Sequence, residues 1–220
     1  MNVRRPVLVG LVGGIAAGKS SVASALCADR GLAAELGGAV ASLDLDAVLR
    51  AGRTEPGSLR DAVAALCPAA RREDGSLDAA RLADAAFADP TLLAALETLQ
   101  WPLARAASRR AHDEAAATGA RVLLVEGIAL GSPTFAKELD ALVLLDAPPE
   151  VRARRASTRG LAADAFRRRD AAGRPHLASA EAAARFRVDA SRDLSDVVHA
   201  TGKSIRALCS GGAARHDTPR

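Results

Sequence analysis

The chain has 220 residues, of which 49% are hydrophobic and 25% are charged, and its formal net charge is +4. This composition is typical of one sizeable globular domain and disfavours two full domains. No apolar stretch approaches the roughly 20 residues of a membrane-spanning helix, and five aromatic residues are too few to stack single-stranded nucleic acid. The densest arginine runs lie in one region, which favours a local anion site, so we expect neither a membrane nor a nucleic-acid partner.

The first predicted element is a β-strand over residues 7–12, a run rich in valine and leucine. Apolar residues at helical spacing follow over residues 20–29, which completes a strand, loop and helix. A glycine-rich link over residues 31–38 then leads to a second predicted strand at 39–43. The start of the chain is thus typical of an α/β protein.

The middle of the chain, from residue 61 to about 117, is predicted to be helical and to contain no strand. Its expected breaks are Pro68, Asp74-Gly75, Asp89-Pro90 and Pro102. Strand character returns at 121–125 and 141–145, in continuous apolar runs typical of parallel strands buried on both faces.

Arginine-rich helical sequence follows over residues 148–159, and further helices are predicted at 160–187 and 196–208. We expect residues 210–220 to form a disordered tail. Alternating strands and helices predict a parallel sheet covered on both faces, in one domain over residues 1–209. The helical middle of the chain then becomes an insertion on that sheet.

Two features bear on the compartment of the protein. The cysteines, which lack CxxC spacing, are Cys27, Cys67 and Cys209. They predict neither a disulfide framework nor a zinc site, and we interpret them as small core residues in a reducing compartment. Arg4-Arg5 and the apolar run after it resemble a signal peptide, but a phosphate-binding motif begins inside the supposed cleavage region. We therefore expect a cytoplasmic protein.

That phosphate-binding motif has the pattern GxxxxGK[ST] and lies between the first predicted strand and helix. Its glycines allow successive N–H groups to face phosphates, Lys19 is expected to reach the β and γ phosphates, and the Ser20 hydroxyl to ligate Mg²⁺. The expected ATP-binding residues of this P-loop are Gly13, Gly14, Ile15, Ala16, Ala17, Gly18, Lys19, Ser20 and Ser21.

The near absence of asparagine narrows the possible classes of P-loop protein. Asn2 is the only asparagine in the chain, so the guanine-reading NKxD motif of GTPases is impossible. A protein-kinase catalytic loop, which needs asparagine, is excluded for the same reason. One P-loop in a chain of this size favours a small-molecule kinase.

Carboxylates follow the second and third predicted strands, where ligands of open α/β sheets bind. Asp44 and Asp46 follow one strand, and Glu126 follows the other directly. One of them could support Mg²⁺ together with Ser20 while another accepts the proton of the acceptor hydroxyl, and the spacing leaves the assignment open. The two aspartates alone could equally form a turn and a helix N-cap.

Arg155 and Arg159 lie four residues apart in the arginine-rich helix and so share one face. They could neutralise the charge that develops on a transferred phosphoryl group. The alternative is a basic face in contact with solvent.

The sequence resembles the dephospho-CoA kinase family of P-loop kinases, which phosphorylate the ribose 3′-hydroxyl of dephospho-CoA to give coenzyme A. The residues that carry the resemblance are 9–15 with the P-loop, Asp44-Leu45-Asp46 with Arg50, 74–78 with Leu82, 87–89, 96–99 with Trp101-Pro102, 140–150 and 188–189.

The resemblance implies a five-stranded parallel sheet with a helical acceptor-binding insertion and a lid over about 150–187. It further implies ATP and Mg²⁺ as cofactors, Asp46 as the general base, Asp44 as a supporting carboxylate and Arg50 as an acceptor contact. The candidate metal ligands are Ser20, Asp44 and Glu126. Arg155 with Arg159 would be the lid arginines. Trp101 stands where the family has a histidine and is a further candidate for the acceptor site. We expect a small-molecule substrate and a monomer.

Departures from the family pattern occur at Ala79, Trp101, 128–130 and Gly173, mostly on the acceptor side. Residues 125–130 resemble uridine kinases instead, which is the alternative enzyme class. A nucleotide-binding relative without catalytic activity is the alternative outside enzymes.

Overall fold

The structure is a computed structural model that describes residues 5–211, apart from the side chains of Phe87, Pro133 and Thr134. Within this part of the chain, no helix combines the length and the apolar character needed to cross a membrane. The predicted tail lies almost wholly outside the described residues, and Ser210 at its start still belongs to the last helix.

One parallel sheet of five strands organises the described chain, in the order β2-β3-β1-β4-β5. The strands are β1 (Val7–Val12), β2 (Val40–Asp44), β3 (Val122–Glu126), β4 (Ala141–Asp146) and β5 (Phe186–Asp189). Because β1 is central, its carboxyl end and the loop that follows lie in the middle of the sheet edge. This is where parallel α/β sheets bind their ligands.

Helices connect the strands and extend the chain beyond the sheet. They are α1 (Lys19–Ala28), α2 (Arg30–Leu36), α3 (Leu45–Thr54), α4 (Ser58–Leu66), α5 (Ala79–Ala88), α6 (Pro90–Ala117), α7 (Pro133–Ala136), α8 (Pro149–Thr158), α9 (Ala163–Ala183) and α10 (Leu194–Ser210). Short 3₁₀ helices lie at Pro68–Ala70 and Ile128–Gly131.

Both faces of the sheet are buried, because alternate side chains of β1 enter two different cores. Val9 and Leu11 pack with α1, α2 and α10 on one face. Leu8 and Val12 pack with α6, α9 and the segment after β3 on the other. The predicted layered α/β/α arrangement with a parallel sheet is confirmed, and each face removes apolar surface from water.

The helical insertion has a hydrophobic cluster of its own. It combines side chains of α4, α5, α6 and the connecting segments, among them Val63, Leu77, Leu82 and Leu96. The long helix α6 joins this cluster to the sheet, since Leu96 packs in the insertion and Ala104 packs against the sheet. The insertion is therefore tied to the sheet by a continuous helix.

Three sequence predictions of local structure were wrong. The glycine-rich link over 31–38 contains helix α2, because the Asp29 carboxylate accepts a hydrogen bond from Leu32 N and the buried Leu32 side chain holds the helix on the core. Pro102 does not break α6, since burial on both sides of the proline outweighs a cost of about 3 kcal/mol. The helix predicted over 160–187 ends at Ala183, and the short edge strand β5 follows.

The prediction that all three cysteines are core residues was also wrong. Cys67 is buried, whereas Cys209 is only partly buried and Cys27 is exposed. On α1 the buried stripe consists of Val22, Ala23 and Leu26. Cys27 follows Leu26 by one residue, about 100° further around the helix, and so faces solvent.

Candidate active site

The P-loop lies between β1 and α1 at the centre of the sheet edge. Ala16 and Gly18 have φ values of 59° and 103°, which places both in the left-handed region and turns the loop back on itself. A Cβ atom at Gly13 would lie 2.6 Å from the Leu145 carbonyl oxygen. Glycine is therefore required at residue 13 for the loop to pass beside β4.

Lys19 is the first residue of α1, and its side chain folds back over the loop. Its Nζ donates a hydrogen bond to the Gly13 carbonyl oxygen at 3.0 Å. Burial lowers the pKa of Lys19, while the nearby carboxylates of Asp46 and Glu126 oppose that shift. The ammonium group thus lies at the mouth of the loop among acidic side chains.

Glu126 and Ser20 form the second part of the site. Ser20 Oγ donates a hydrogen bond to Glu126 Oε2 at 2.6 Å, and Glu126 is 5% exposed at the carboxyl end of β3. Burial raises the pKa of Glu126, and the hydrogen bond from Ser20 works against that increase. The P-loop hydroxyl is therefore in direct contact with the carboxylate that follows β3.

Asp44 lies beside Glu126, since these residues are register partners in β2 and β3. Its Oδ1 accepts a hydrogen bond from Ala47 N at 2.9 Å and caps α3. The N-cap considered as an alternative explanation is therefore realised at Asp44. Because Asp44 caps α3, Asp46 lies in the first turn of this helix.

Asp46 belongs to the first turn of α3 and not to the end of β2, so the predicted strand alternation between Asp44 and Asp46 was wrong. Asp44 caps the helix and Leu45 is buried, which leaves Asp46 on the cleft side. Water reaches its carboxylate, yet protein surrounds it on most sides, and this partial desolvation raises its pKa. The positive charge of Lys19 opposes that increase, which shows that the two side chains lie close together.

Gly127 borders the same space. A Cβ atom at this residue would lie 3.6 Å from Asp46 Oδ1, at ordinary contact distance. Gly127 therefore lies next to Asp46 where β3 ends, and an alanine would also fit here.

The predicted arginines lie on the other side of the P-loop, along a cavity of about 240 Å³. Arg155 and Arg159 line it together with Ala17, Gly18, Ser21, Val22, Ala190, Arg192, Asp193, Leu194 and Val197. Arg155 donates hydrogen bonds to the carbonyl oxygens of Ala190 and Arg192, at 2.7 and 3.2 Å. Both arginines thus share one cavity, and Arg155 is held by the loop after β5.

Sequence reasoning missed Arg152, whose side chain contacts the P-loop. Its side chain is buried, forms an ion pair with Asp170 of α9 and donates to the Ala147 carbonyl oxygen at 2.9 Å. A Cβ atom at Gly14 would lie 2.6 Å from its Nη1. The only signal in the sequence is its place in the arginine-rich helix, which does not distinguish a buried arginine from exposed ones.

Among the residues predicted for the acceptor side, Arg50 lies one turn after Asp46 on α3, and its charge works against the burial-driven rise in the pKa of that carboxyl. Trp101 packs against Phe135, with ring centroids 5.7 Å apart, in the core beside the sheet. Two departures from the family pattern touch each other, since a Cβ atom at Gly173 would lie 2.6 Å from Ile128 Cδ1. Glycine at residue 173 thus accommodates isoleucine at residue 128.

The donors around Ser20 fit a magnesium ion. Over residues 5–211, no group of three His, Cys, Asp or Glu side chains is arranged to hold a metal by itself. Mg²⁺ with a nucleotide takes most of its ligands from phosphates and water and only one or two from protein. A hydroxyl and a nearby buried carboxylate are therefore a sufficient protein contribution.

Comparison with known proteins agrees with this geometry. Residues 7–191 match the family described as "Dephospho-CoA kinase". Dephospho-CoA kinase of Aromatoleum aromaticum is 36% identical over 69% of this chain and 69% of its own, and that of Cereibacter sphaeroides is 38% identical over 73% and 75%. The crystal structure of TT1252 from Thermus thermophilus superposes with a TM-score of 0.69, at 28% identity, over 93% of this chain and 98% of that one.

Proposed function

The chain belongs to the dephospho-CoA kinase family, and from this membership we propose that it transfers the γ-phosphoryl group of ATP to the 3′-hydroxyl of dephospho-CoA, giving coenzyme A. The observation that carries the proposal is the convergence of Lys19, the Ser20–Glu126 pair and Asp46 at the carboxyl end of the sheet. A phosphoryl transfer needs a phosphate cradle, a cation and a base in one place.

The nucleotide phosphates are expected to occupy the loop of residues 13–20, with N–H groups at the start of α1 facing the negative charge. Lys19 then exchanges its contact with the Gly13 carbonyl for the phosphate oxygens. Mg²⁺ would be held by Ser20 Oγ, with Glu126 and Asp44 ordering its water ligands, and would supply further charge neutralisation. The two carboxylates are thus assigned to the metal side.

Asp46 is the proposed general base. It lies on the helix that begins the acceptor side, next to Lys19, and its raised pKa makes the carboxylate a better proton acceptor than a fully solvated aspartate. The 3′-hydroxyl would donate its proton to Asp46 as the oxygen attacks the γ-phosphorus in line with the leaving ADP oxygen. Arg50 is proposed to contact the acceptor beside it.

Arg155 and Arg159 are proposed to bind the nucleotide from the α8 side. Their shared cavity is also lined by Ala17 and Gly18 of the P-loop, and Arg155 Nη1 donates to the Ala17 carbonyl oxygen at 3.5 Å. We also propose that the protein acts as a monomer in the cytoplasm. Both sides of the cleft come from one chain, and the cysteines are free thiols, as expected in a reducing compartment.

The test measures ADP release by the purified protein with ATP and Mg²⁺, in the presence of dephospho-CoA, of uridine or of no acceptor. We expect release that depends on dephospho-CoA, with coenzyme A as the product. Lys19→Ala serves as the blank for contaminating kinases. ATP binding without turnover of dephospho-CoA would contradict the proposal.

A further inference from the structure

Helix α3 carries a second arginine, Arg53, in addition to Arg50. Asp46, Arg50 and Arg53 are four and three residues apart, so they share one face of the helix. Arg53 is partly buried, and it makes no ion pair within 4.0 Å to any carboxylate among the described residues. A half-buried cation without a fixed counterion is costly unless something else compensates it.

The Arg53 side chain is held in place by α6. Helices α3 and α6 approach closely at Gly52, where a Cβ atom would lie 2.5 Å from Leu103 Cδ2. This contact brings Arg53 Nη1 to Gln100 Oε1, which accepts its hydrogen bond. Gln100 is oriented in turn, since its Nε2 donates to the Leu96 carbonyl oxygen at 2.9 Å. One nitrogen of the guanidinium is therefore anchored, and Gln100 is its only hydrogen-bond partner among the described residues.

Arg53 lies close enough to Asp46 for their charges to interact, and both are on the same face of α3. Burial lowers the pKa of Arg53, and the negative charge of Asp46 opposes this shift. Asp46 interacts in the same way with Lys19, which lies on the nucleotide side. An acceptor hydroxyl placed at Asp46 would therefore lie near both Lys19 of the P-loop and Arg53 of α3.

We propose that Arg53 binds the diphosphate group of dephospho-CoA and so determines how the acceptor is positioned. This inference rests on the proposed function. Guanidinium groups bind phosphate oxygens through paired hydrogen bonds, and an anchored guanidinium loses less side-chain entropy when it does so. The diphosphate lies one ribose away from the reacting hydroxyl, so the same substrate molecule can contact Asp46 and Arg53 at once.

Arg53→Gln tests the proposal by steady-state kinetics with each substrate varied in turn. We expect KM for dephospho-CoA to rise about 10- to 100-fold, which corresponds to one charged hydrogen-bonding interaction. KM for ATP should stay unchanged, and Arg53→Lys should restore part of the loss because it keeps the charge. Arg81→Gln, an exposed arginine on α5, is the matched control and should leave both KM values unchanged.

Calorimetric binding of dephospho-CoA to the same variants separates this inference from the proposed function. If wild-type protein does not turn over dephospho-CoA, the proposed function fails. If wild-type protein turns it over and Arg53→Gln binds it as tightly as wild type does, only the role of Arg53 is overturned. Equal losses of affinity for ATP and dephospho-CoA, with a lower melting temperature, would likewise assign Arg53 to packing between α3 and α6.

Discussion

The nucleotide side and the acceptor side of the cleft are built by different means. The nucleotide side is one continuous segment, residues 13–20, placed between the central strand and the first helix. The proposed acceptor side is assembled from α3, α6 and α9, whose contacts include those of Arg53 with Gln100 and of His176 with Glu97. A site made by backbone conformation needs a local sequence pattern, whereas a site made by contacts between distant helices needs the whole fold.

This difference predicts that substitutions on the two sides affect different measured quantities. Lys19→Ala should affect the nucleotide side most, lowering turnover about 1000-fold or more and weakening ATP binding, because it removes the ammonium group proposed to contact the phosphates. Turnover and calorimetric ATP affinity are the measurements. The exposed Lys203→Ala is the control. Unchanged ATP affinity in Lys19→Ala would contradict this division of roles.

Asp46→Asn should lower turnover by about 10²- to 10⁴-fold while ATP affinity is retained, since the base acts on the acceptor. Because the pKa of Asp46 is raised, turnover of the wild type should fall as the pH drops through a value above the usual range of aspartate. This acidic limb should be absent from the variant. Asp61→Asn, on the exposed surface of α4, is the control. A variant as active as wild type would exclude Asp46 as the base.

Arg152 and Asp170 connect the P-loop to α9, and disrupting their ion pair tests how much α9 stabilises the nucleotide side of the protein. Asp170→Asn leaves the buried Arg152 without its counterion and should lower the free energy of unfolding by about 3 kcal/mol. Asp164→Asn removes an exposed ion pair with Arg167 on the same helix and should cost about 0.5 kcal/mol or less. Urea unfolding compares the two. Equal losses of unfolding free energy in the two variants would mean that the buried Arg152–Asp170 pair stabilises the protein no more than an exposed pair does.

His176 and Glu97 connect α9 to α6, and this contact should have the smallest effect. Their hydrogen bond of 2.6 Å raises the pKa of His176. The stabilisation is therefore fully present below about pH 6.5, the unfolded value, and is lost as the pH rises through the higher folded pKa. In urea unfolding, His176→Gln should cost about 1 kcal/mol at pH 6 and less at pH 9.

His199→Gln, on the exposed side of α10, is the control for general effects of removing a histidine. A pH-independent loss in His176→Gln would show that the pair stabilises the helices by packing alone.

The same contrast explains what could be predicted from the sequence. The P-loop, β1 and the carboxylate after β3 were predictable because each depends on a short local pattern, and the structure brings Lys19, Ser20 and Glu126 together. The conformation of Asp46 was not, since only the cap formed by Asp44 shows that α3 begins at Leu45. The burial of Arg152 depends on Asp170 and Gly14, which are distant in sequence.

Contacts between residues that depart from the family pattern could not be predicted from the sequence either. Ile128 and Gly173 can each be seen as unusual in the sequence, but only the folded chain shows that the isoleucine fills the space above the glycine. Trp101 packs on Phe135 in the core, and its predicted role at the acceptor stays a prediction.

The position of β1 at the centre of the sheet also has a consequence for synthesis. Its partners are β3 and β4, and Val7 pairs with Val122, more than half the chain away. At roughly 5–20 residues per second, a ribosome takes on the order of ten seconds to supply β3 after β1 has emerged. During that interval the most apolar strand has no neighbour to pair with. The nascent chain therefore depends on early burial of β1 against α1, or on chaperones, to avoid aggregation before its sheet can close.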